Sequence, residues 1–223
     1  MLKEERKLNH EYAGQRITIN GRTGKLIVKE DKKKTKKDRY KDKKPTKPGE
    51  LVQIDTKHEY VNGRKVYIFV AKDVKTRISF TFAYDRLNSK NAKDFLEKLI
   101  KAIPFEIRGI QTDNGSEFLG EFSKALKKKD IKHYFNYPRH PKGQAYVEKM
   151  NRTLQEEFVM YYEDCELEDI HEFNKKMLQY MLWYNTKRPH HSLNKKSPIA
   201  YFCDIINSRK SEFSQTGMTY TIT

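Results

Sequence analysis

Cysteine is nearly absent from this 223-residue chain, and its two examples, Cys165 and Cys203, stand isolated. That spacing excludes a disulfide framework and a Cys-x-x-Cys metal knuckle, argues against structural zinc, and fits a reducing compartment. Long apolar runs are also missing. No stretch approaches the ~18–20 residues that a bilayer-spanning helix needs, and the opening MLKEERKLNHEY lacks the apolar core of a secretory signal. A cytoplasmic location is expected. Nothing resembles an ATP-binding loop. Acidic residues are in deficit, 30 against 46 Lys and Arg, for a net charge of +16.

What remains is a chain long enough for one domain with appendages, or two small ones. With 36% hydrophobic and 34% charged residues, and a mean hydropathy of −0.94, part of its length should be solvated arm. The charge is uneven: the first 50 residues hold 17 basic and 8 acidic side chains, a net of +9, against +7 for the other 173. Such a balance favours polyanions, because each neutralised phosphate releases condensed counterions. Nucleic acid is the leading partner; a basic ribosome-associated factor is the plainer alternative on composition alone.

Residues 1–30 have weak periodicity and two breaks, Gly21 and Gly24, consistent at most with a short hairpin or a remnant of a longer segment. Residues 31–48, DKKKTKKDRYKDKKPTKP, form a basic linker in which no core can form. From Leu51 the pattern predicts strands at LVQIDT, VYIFVAKD and RISFTFAY, with Asn62-Gly63 turning between the first two. Ser89 is the expected cap of a helix bearing Ala92, Phe95, Leu96, Leu99 and Ile103 on one face and ending before Pro104. IRGIQTD is a fourth strand, 118–129 a helix, and IKHYFN a fifth strand. After the loop YPRHPKG, a long helix from about Gln144 carries Val147, Met150, Leu154, Phe158 and Tyr161. Another, from about Leu167 to Asn185, carries Leu167, Ile170, Phe173, Met177, Met181 and Tyr184. Three adjacent strands followed by strands that return through helices predict a mixed α/β sheet with helices packed against it.

Three acidic residues occupy element ends: Asp55, Asp113, and Glu148 near the start of the long helix. Each has an ordinary explanation, as a turn residue, part of an Asp-Asn-Gly turn, or an acid favoured by a helix dipole. Converging at one sheet edge, they would carry about −3 at neutral pH and require cations. Oxygen ligands of this kind suit Mg²⁺ or Mn²⁺. Two such ions with one phosphodiester bring the sum to about zero, the balance of two-metal phosphoryl transfer. Asn151, Arg152 and Gln155, at i+3, i+4 and i+7 from Glu148, share its helix face and offer donors to phosphate, though an ordinary solvated face would look the same.

At these residues the sequence resembles the catalytic core of retroviral-type integrases and bacterial insertion-sequence transposases, the DDE recombinases of RNase H-like fold. The matching blocks are PGELVQIDTKH, TDNGSEF, HPKGQAYVEKMNRTL and YNTKRPHHSLNKKSPIAYF, which cover residues 48–203 in the family's order. The 34 residues between Asp113 and Glu148 are close to the family's characteristic interval. The resemblance implies a five-stranded mixed sheet flanked by helices over 49–205, a basic N-terminal arm over 1–48 as a possible remnant of a DNA-binding segment, a C-terminal helical extension, and a tail over 206–223. It implies Asp55, Asp113 and Glu148 as catalytic and metal ligands for two Mg²⁺ or Mn²⁺ ions, with the first Asp shared between both.

Among other residues, Asn151 and Arg152 match positions near the DNA backbone, and Tyr137–Gly143 resembles a mobile loop closing on DNA. Expected DNA contacts are Asn151, Arg152, Gln155, Lys142 and Arg188 in the core and Lys32, Lys33, Lys34, Lys36 and Lys37 in the arm. The implied activity is metal-dependent DNA cleavage and strand transfer by a homo-oligomer in a bacterial, nucleoid-associated setting. Paired His and Cys of an N-terminal zinc domain are missing, and residues 1–48 do not read as a full helix-turn-helix. That implies a separate helix-turn-helix protein or an upstream domain for end recognition. An inactive transposase-derived DNA-binding protein and an RNase H-like nuclease are the alternatives.

Overall fold

The computed structural model describes residues 15–19, 22–23, 26–30, 38–40, 44–61, 63–136, 141–162 and 169–215. The arm lysines Lys32, Lys33, Lys34, Lys36 and Lys37, residues 137–140 of the expected loop, Asn62, Cys165 and the last eight residues lie outside them; Lys142 lies in a described turn, but its side chain does not belong to the described set. The chain divides into two compact units, Met1–Lys37 and Asp38–Thr223.

In the first unit, β1 (Gln15–Ile19) and β2 (Leu26–Glu30) pair antiparallel with Gln15 opposite Glu30, the hairpin that the glycine breaks allow. The second unit takes in part of the expected linker. Phe135 N–H donates to Asp38 O at 2.9 Å, the Tyr40 and Tyr134 rings meet edge to face, and Gly49 N–H donates to Asp73 Oδ1 at 3.0 Å. Residues from Asp38 onward therefore stay with the core, ahead of the boundary at 48 that composition suggests.

The sheet order is β5 (Ser79–Tyr84), β4 (Arg64–Asp73), β3 (Val52–Val61), β6 (Gly109–Thr112), β7 (Lys132–Phe135). β3, β4 and β5 form an antiparallel meander, while β6 and β7 run parallel to β3 and each other, the mixed α/β sheet expected. Gly63, at φ +69°, makes the tight turn between β3 and β4, and both strands run longer than their apolar stretches.

Helices cover both faces. On one side, Val52 and Ile54 of β3 and Phe69 and Ala71 of β4 pack with α1 (Ser89–Ala102) and α2 (Glu121–Lys128) through Phe95, Leu96, Leu99 and Phe122. On the other, Val66, Ile68 and Val70 pack with α3 (Ala145–Leu154) and α4 (Ile170–Thr186) through Val147, Met150, Phe173 and Met177. Each such large side chain stabilises the fold by roughly 1.5–3 kcal/mol of transfer free energy. α5 (Pro198–Gln215) continues past residue 205, where the tail was expected to begin.

Two local expectations shift. The cap of α1 is Asn88, whose side chain accepts from Asn91 N–H at 2.8 Å; Ser89 instead accepts from Phe122 N–H at 3.1 Å and ties α1 to α2. After Leu154 the long helix takes a π-turn, Gln155–Val159. A π-turn advances fewer degrees per residue than an α-turn. Val159 therefore joins Phe158 in the core, and Tyr161, expected on the apolar face, is 73% exposed.

Gly49 has a position no other residue can hold comfortably. Its φ is +72°, and a Cβ there would stand 1.9 Å from Glu106 O. Gly49→Ala is expected to lower stability by about 2–3 kcal/mol, measured by denaturant unfolding, since it combines backbone strain with a clash against main chain.

Candidate functional site

Strand periodicity puts alternate residues on opposite faces, so β3 sends Val52 and Ile54 toward α1 and Gln53 and Asp55 toward α3. β6 repeats the pattern. Gln53 pairs in parallel register with Gln111, and the sequence reads Gln-x-Asp from each: Gln53-Ile54-Asp55 and Gln111-Thr112-Asp113. Two residues beyond equivalent positions on neighbouring parallel strands, about 4.8 Å apart, Asp55 and Asp113 emerge side by side on one face.

The glutamines below them form a buried lattice. Gln53 Nε2 donates to Gln111 Oε1 at 3.0 Å and to Gly143 O at 2.7 Å, and Gln111 Nε2 donates to Asn136 Oδ1 at 2.7 Å. Gln53 Oε1 accepts from Val147 N–H, and Gln144 Nε2 donates to Ile54 O, both at 3.3 Å. These bonds fix the first turn of α3 over the end of β3. Glu148 follows Val147 directly, and one turn later Asn151 Nδ2 donates to Asp55 Oδ2 at 2.7 Å. α3 therefore brings its acid to the same edge as the two aspartates.

The charges register this convergence. Burial pushes the Asp55 carboxyl above its ordinary range, and the negative fields of Asp113 and Glu148 push it the same way; hydrogen bonds from Thr56 N–H and Asn151 only partly offset them. Asp113 is oriented by Gly115 N–H, which donates to its Oδ1 at 2.8 Å. Glu148 is exposed. Among the described residues no three acidic, His or Cys side chains stand as a ready-made ion cage, so the expected two-ion arrangement is not pre-assembled. The donor set nonetheless fits a hard divalent cation: three carboxylates, all oxygen, with the Asn151 Oδ1 buried beside them and without a hydrogen-bond partner.

The other expected contacts divide. Arg152 is exposed on α3. Gln155 Oε1 accepts from Lys57 Nζ, which also pairs with Glu59. Arg188 is bound inside the structure: its Nε donates to Glu157 Oε2 at 2.8 Å and Oε1 at 3.1 Å, its Nη2 bonds the same carboxylate, and Tyr180 completes the group through Glu157 Oε2 at 2.9 Å. The Glu157 carboxyl is accordingly held below its usual range despite its partial burial. The sequence reading overlooks Gln53, Gln111, Asn136 and Gln144 as positioning groups, although the repeated Gln-x-Asp at two apolar strand ends marks the first two.

Comparison with known proteins agrees with this fold. Residues 45–141 match the family model described as integrase core domain, and residues 129–198 match a second integrase core domain model. The integrase-named ORF3 protein of Spiroplasma virus SpV1-C74 is 28% identical over 172 residues, covering 68% of this chain and 47% of that protein. The chain thus spans about half the length of this relative. Among solved structures, a simian T-cell lymphotropic virus intasome in complex with the PP2A regulatory subunit B56 gamma has a TM-score of 0.62 at 21% identity, over 75% of this chain and 59% of that one. The HTLV-2 integrase catalytic core domain in complex with magnesium gives 0.57 at 20% identity, over 69% and 96%. The BIV integrase catalytic core gives 0.56 at 18%, over 73% and 99%.

A mixed five-stranded sheet with helices on both faces and acids at neighbouring strand ends is an RNase H-like fold. The two integrase core domain matches fall within residues 45–198, and over that stretch the chain is similar to integrases and transposases of that fold. Among the described residues, no helix is long and apolar enough to cross a membrane.

Proposed function

We propose that the chain catalyses metal-dependent phosphodiester cleavage and strand transfer on DNA, with Asp55, Asp113 and Glu148 as the catalytic carboxylates. The observation that carries this reading is the Gln53–Gln111 register, which sets two aspartates side by side under a helix bearing a third acid. Asp55, Asp113 and Glu148 would hold divalent cations, Mg²⁺ or Mn²⁺ and two per site, whose chemistry there would be to activate the attacking oxygen and offset charge on the leaving one. The protein's share is placement. Asn151 donates to Asp55 Oδ2, Gly115 N–H orients Asp113, and the glutamine lattice ties the first turn of α3, which carries Glu148, to β3. Exposed Arg152 lies one helical turn from Glu148, within reach of a strand phosphate. DNA is the proposed substrate and a homo-oligomer on two DNA ends the proposed working form, in keeping with the net charge of +16 and with the intasome whose fold this chain shares.

The test uses supercoiled plasmid and a labelled duplex with a free 3′-OH, with an RNA–DNA hybrid in parallel. Nicking of plasmid and covalent joining of the label to it, both requiring Mg²⁺ or Mn²⁺, are expected. Cleavage confined to the hybrid would point to a nuclease. Binding without any cleavage, indifferent to metal, would point to a DNA-binding protein.

A further inference from the structure

On the far side of α3 from Asn151 lies a second polar site that the carboxylate chemistry does not use. It is a cavity of about 340 Å³ enclosed by the end of β4, by α3, and by the segment that follows α4. Lys72, Arg77, Lys149, Arg188 and His190 line it, and among the described residues no carboxylate does. Glu157, outside that lining, pairs directly with Arg188.

Lys72 is the least expected of these residues. It follows Val66, Ile68 and Val70 on the same face of β4, where an apolar side chain would continue the core, yet it is a lysine only 4% exposed. Its ammonium donates to Tyr184 Oη at 2.9 Å, a neutral partner. Arg77 is buried at φ +67°, a left-handed conformation rare for a branched-free but bulky side chain; its guanidinium bonds Val74 O and lies 4.0 Å over the Tyr146 ring. Among the described residues, the cavity lining offers its other N–H groups no carboxylate. His190 is 8% exposed, and its Nε2 is buried without a hydrogen-bond partner.

A buried ammonium, a buried guanidinium and an orphaned imidazole nitrogen around one cavity are costly unless an anion completes them. We propose that this cavity binds a phosphate group, whose oxygens accept from Lys72, Arg77 and His190 together. Arginine and lysine donors with an imidazole make a tetrahedral oxyanion cradle, and the volume admits a phosphate with its ester substituent. The electrostatics agree: burial and the fields of Arg77, Arg188 and Lys149 lower Lys72 to about 7, and burial with Lys72, Arg188 and Arg77 lowers His190 to about 4, against a smaller opposing pull from Glu157. The strained backbone at Arg77 is of the kind retained at ligand sites. This inference does not depend on the assignment of Asp55, Asp113 and Glu148.

Thermal unfolding of the full chain at constant ionic strength tests it, with sodium phosphate exchanged for sodium chloride, and with a short single-stranded oligonucleotide with or without a 5′-phosphate. Phosphate or the oligonucleotide should raise Tm saturably by several degrees. Lys72→Met should remove that shift while unfolding at the same or higher temperature without ligand. Lys149→Gln, at an exposed position, should weaken binding about tenfold without disturbing the fold. A strand saturating at tenfold lower concentration than inorganic phosphate, and only with Lys72 present, would identify the source as nucleic acid; saturation by inorganic phosphate alone would identify a free anion. No saturable shift with any probe, or a shift unchanged in both variants, would overturn the proposal.

Discussion

Asp55→Asn is expected to abolish strand transfer, by at least about 10³-fold, and at the same time to make the protein more stable. The two effects share one cause. Asp55 is a half-buried carboxylate within the field of two more, and its carboxyl is pushed up by partial burial and by Asp113 and Glu148. A group whose folded pKa lies above its unfolded value gives stability that is complete below the unfolded value and lost as pH rises through the folded one. At neutral pH the ionised Asp55 therefore opposes folding. An asparagine of the same shape still accepts from Asn151 Nδ2 and carries no charge, so the variant should gain about 1 kcal/mol at pH 7, an advantage that shrinks toward pH 4. Divalent cations should raise the Tm of the wild type and leave that of the variant nearly unmoved. Denaturant unfolding at several pH values, with and without Mg²⁺, reads both parts.

Gln53→Leu should be the second most damaging change, although no reaction step uses that side chain. Gln53 satisfies Gln111 Oε1, Gly143 O and Val147 N–H from one buried position. Leucine fills a similar volume and leaves all three unpaired, each costing about 1–3 kcal/mol. Stability should fall by about 3 kcal/mol after relaxation. Activity should fall about 100-fold even under conditions where the variant remains folded, because α3 loses the bond that sets Glu148 over Asp55. Metal binding, measured by calorimetry, should weaken in parallel. Unchanged activity in a folded Gln53→Leu protein would mean that the lattice only supports the core.

The sheet was legible because its apolar stretches are strong and its turns explicit: Val66–Ala71 is a buried central strand, and Gly63 and Pro104 punctuate as their backbone restrictions require. The three acids were legible through motif spacing, but composition could say nothing of how they converge. That depends on the pairing of Gln53 with Gln111, a long-range register that no local period encodes. The π-turn at Gln155–Val159 was illegible for a related reason: QEEFV fits an α-helix equally well, and only packing shows that Val159 turns inward and Tyr161 outward. Arg188 shows the opposite case. A lone arginine in a basic motif suggests a phosphate contact, while its bidentate pairing with Glu157, 31 positions away, is set by tertiary structure. Lys72 is visible in the sequence as the lysine of VYIFVAKD, but nothing local shows that it is buried beside Arg77 and His190.

The central claim is that Asp55, Asp113 and Glu148 act as one cation-dependent site for phosphodiester transfer. Its most direct measurement is the covalent joining of a labelled 3′-OH DNA end to plasmid by wild type and Glu148→Gln, in Mg²⁺ and in EDTA. The account predicts joined product only with wild type and Mg²⁺, with Glu148→Gln folded, binding DNA and silent. Equal product from Glu148→Gln, or from wild type in EDTA, would contradict it.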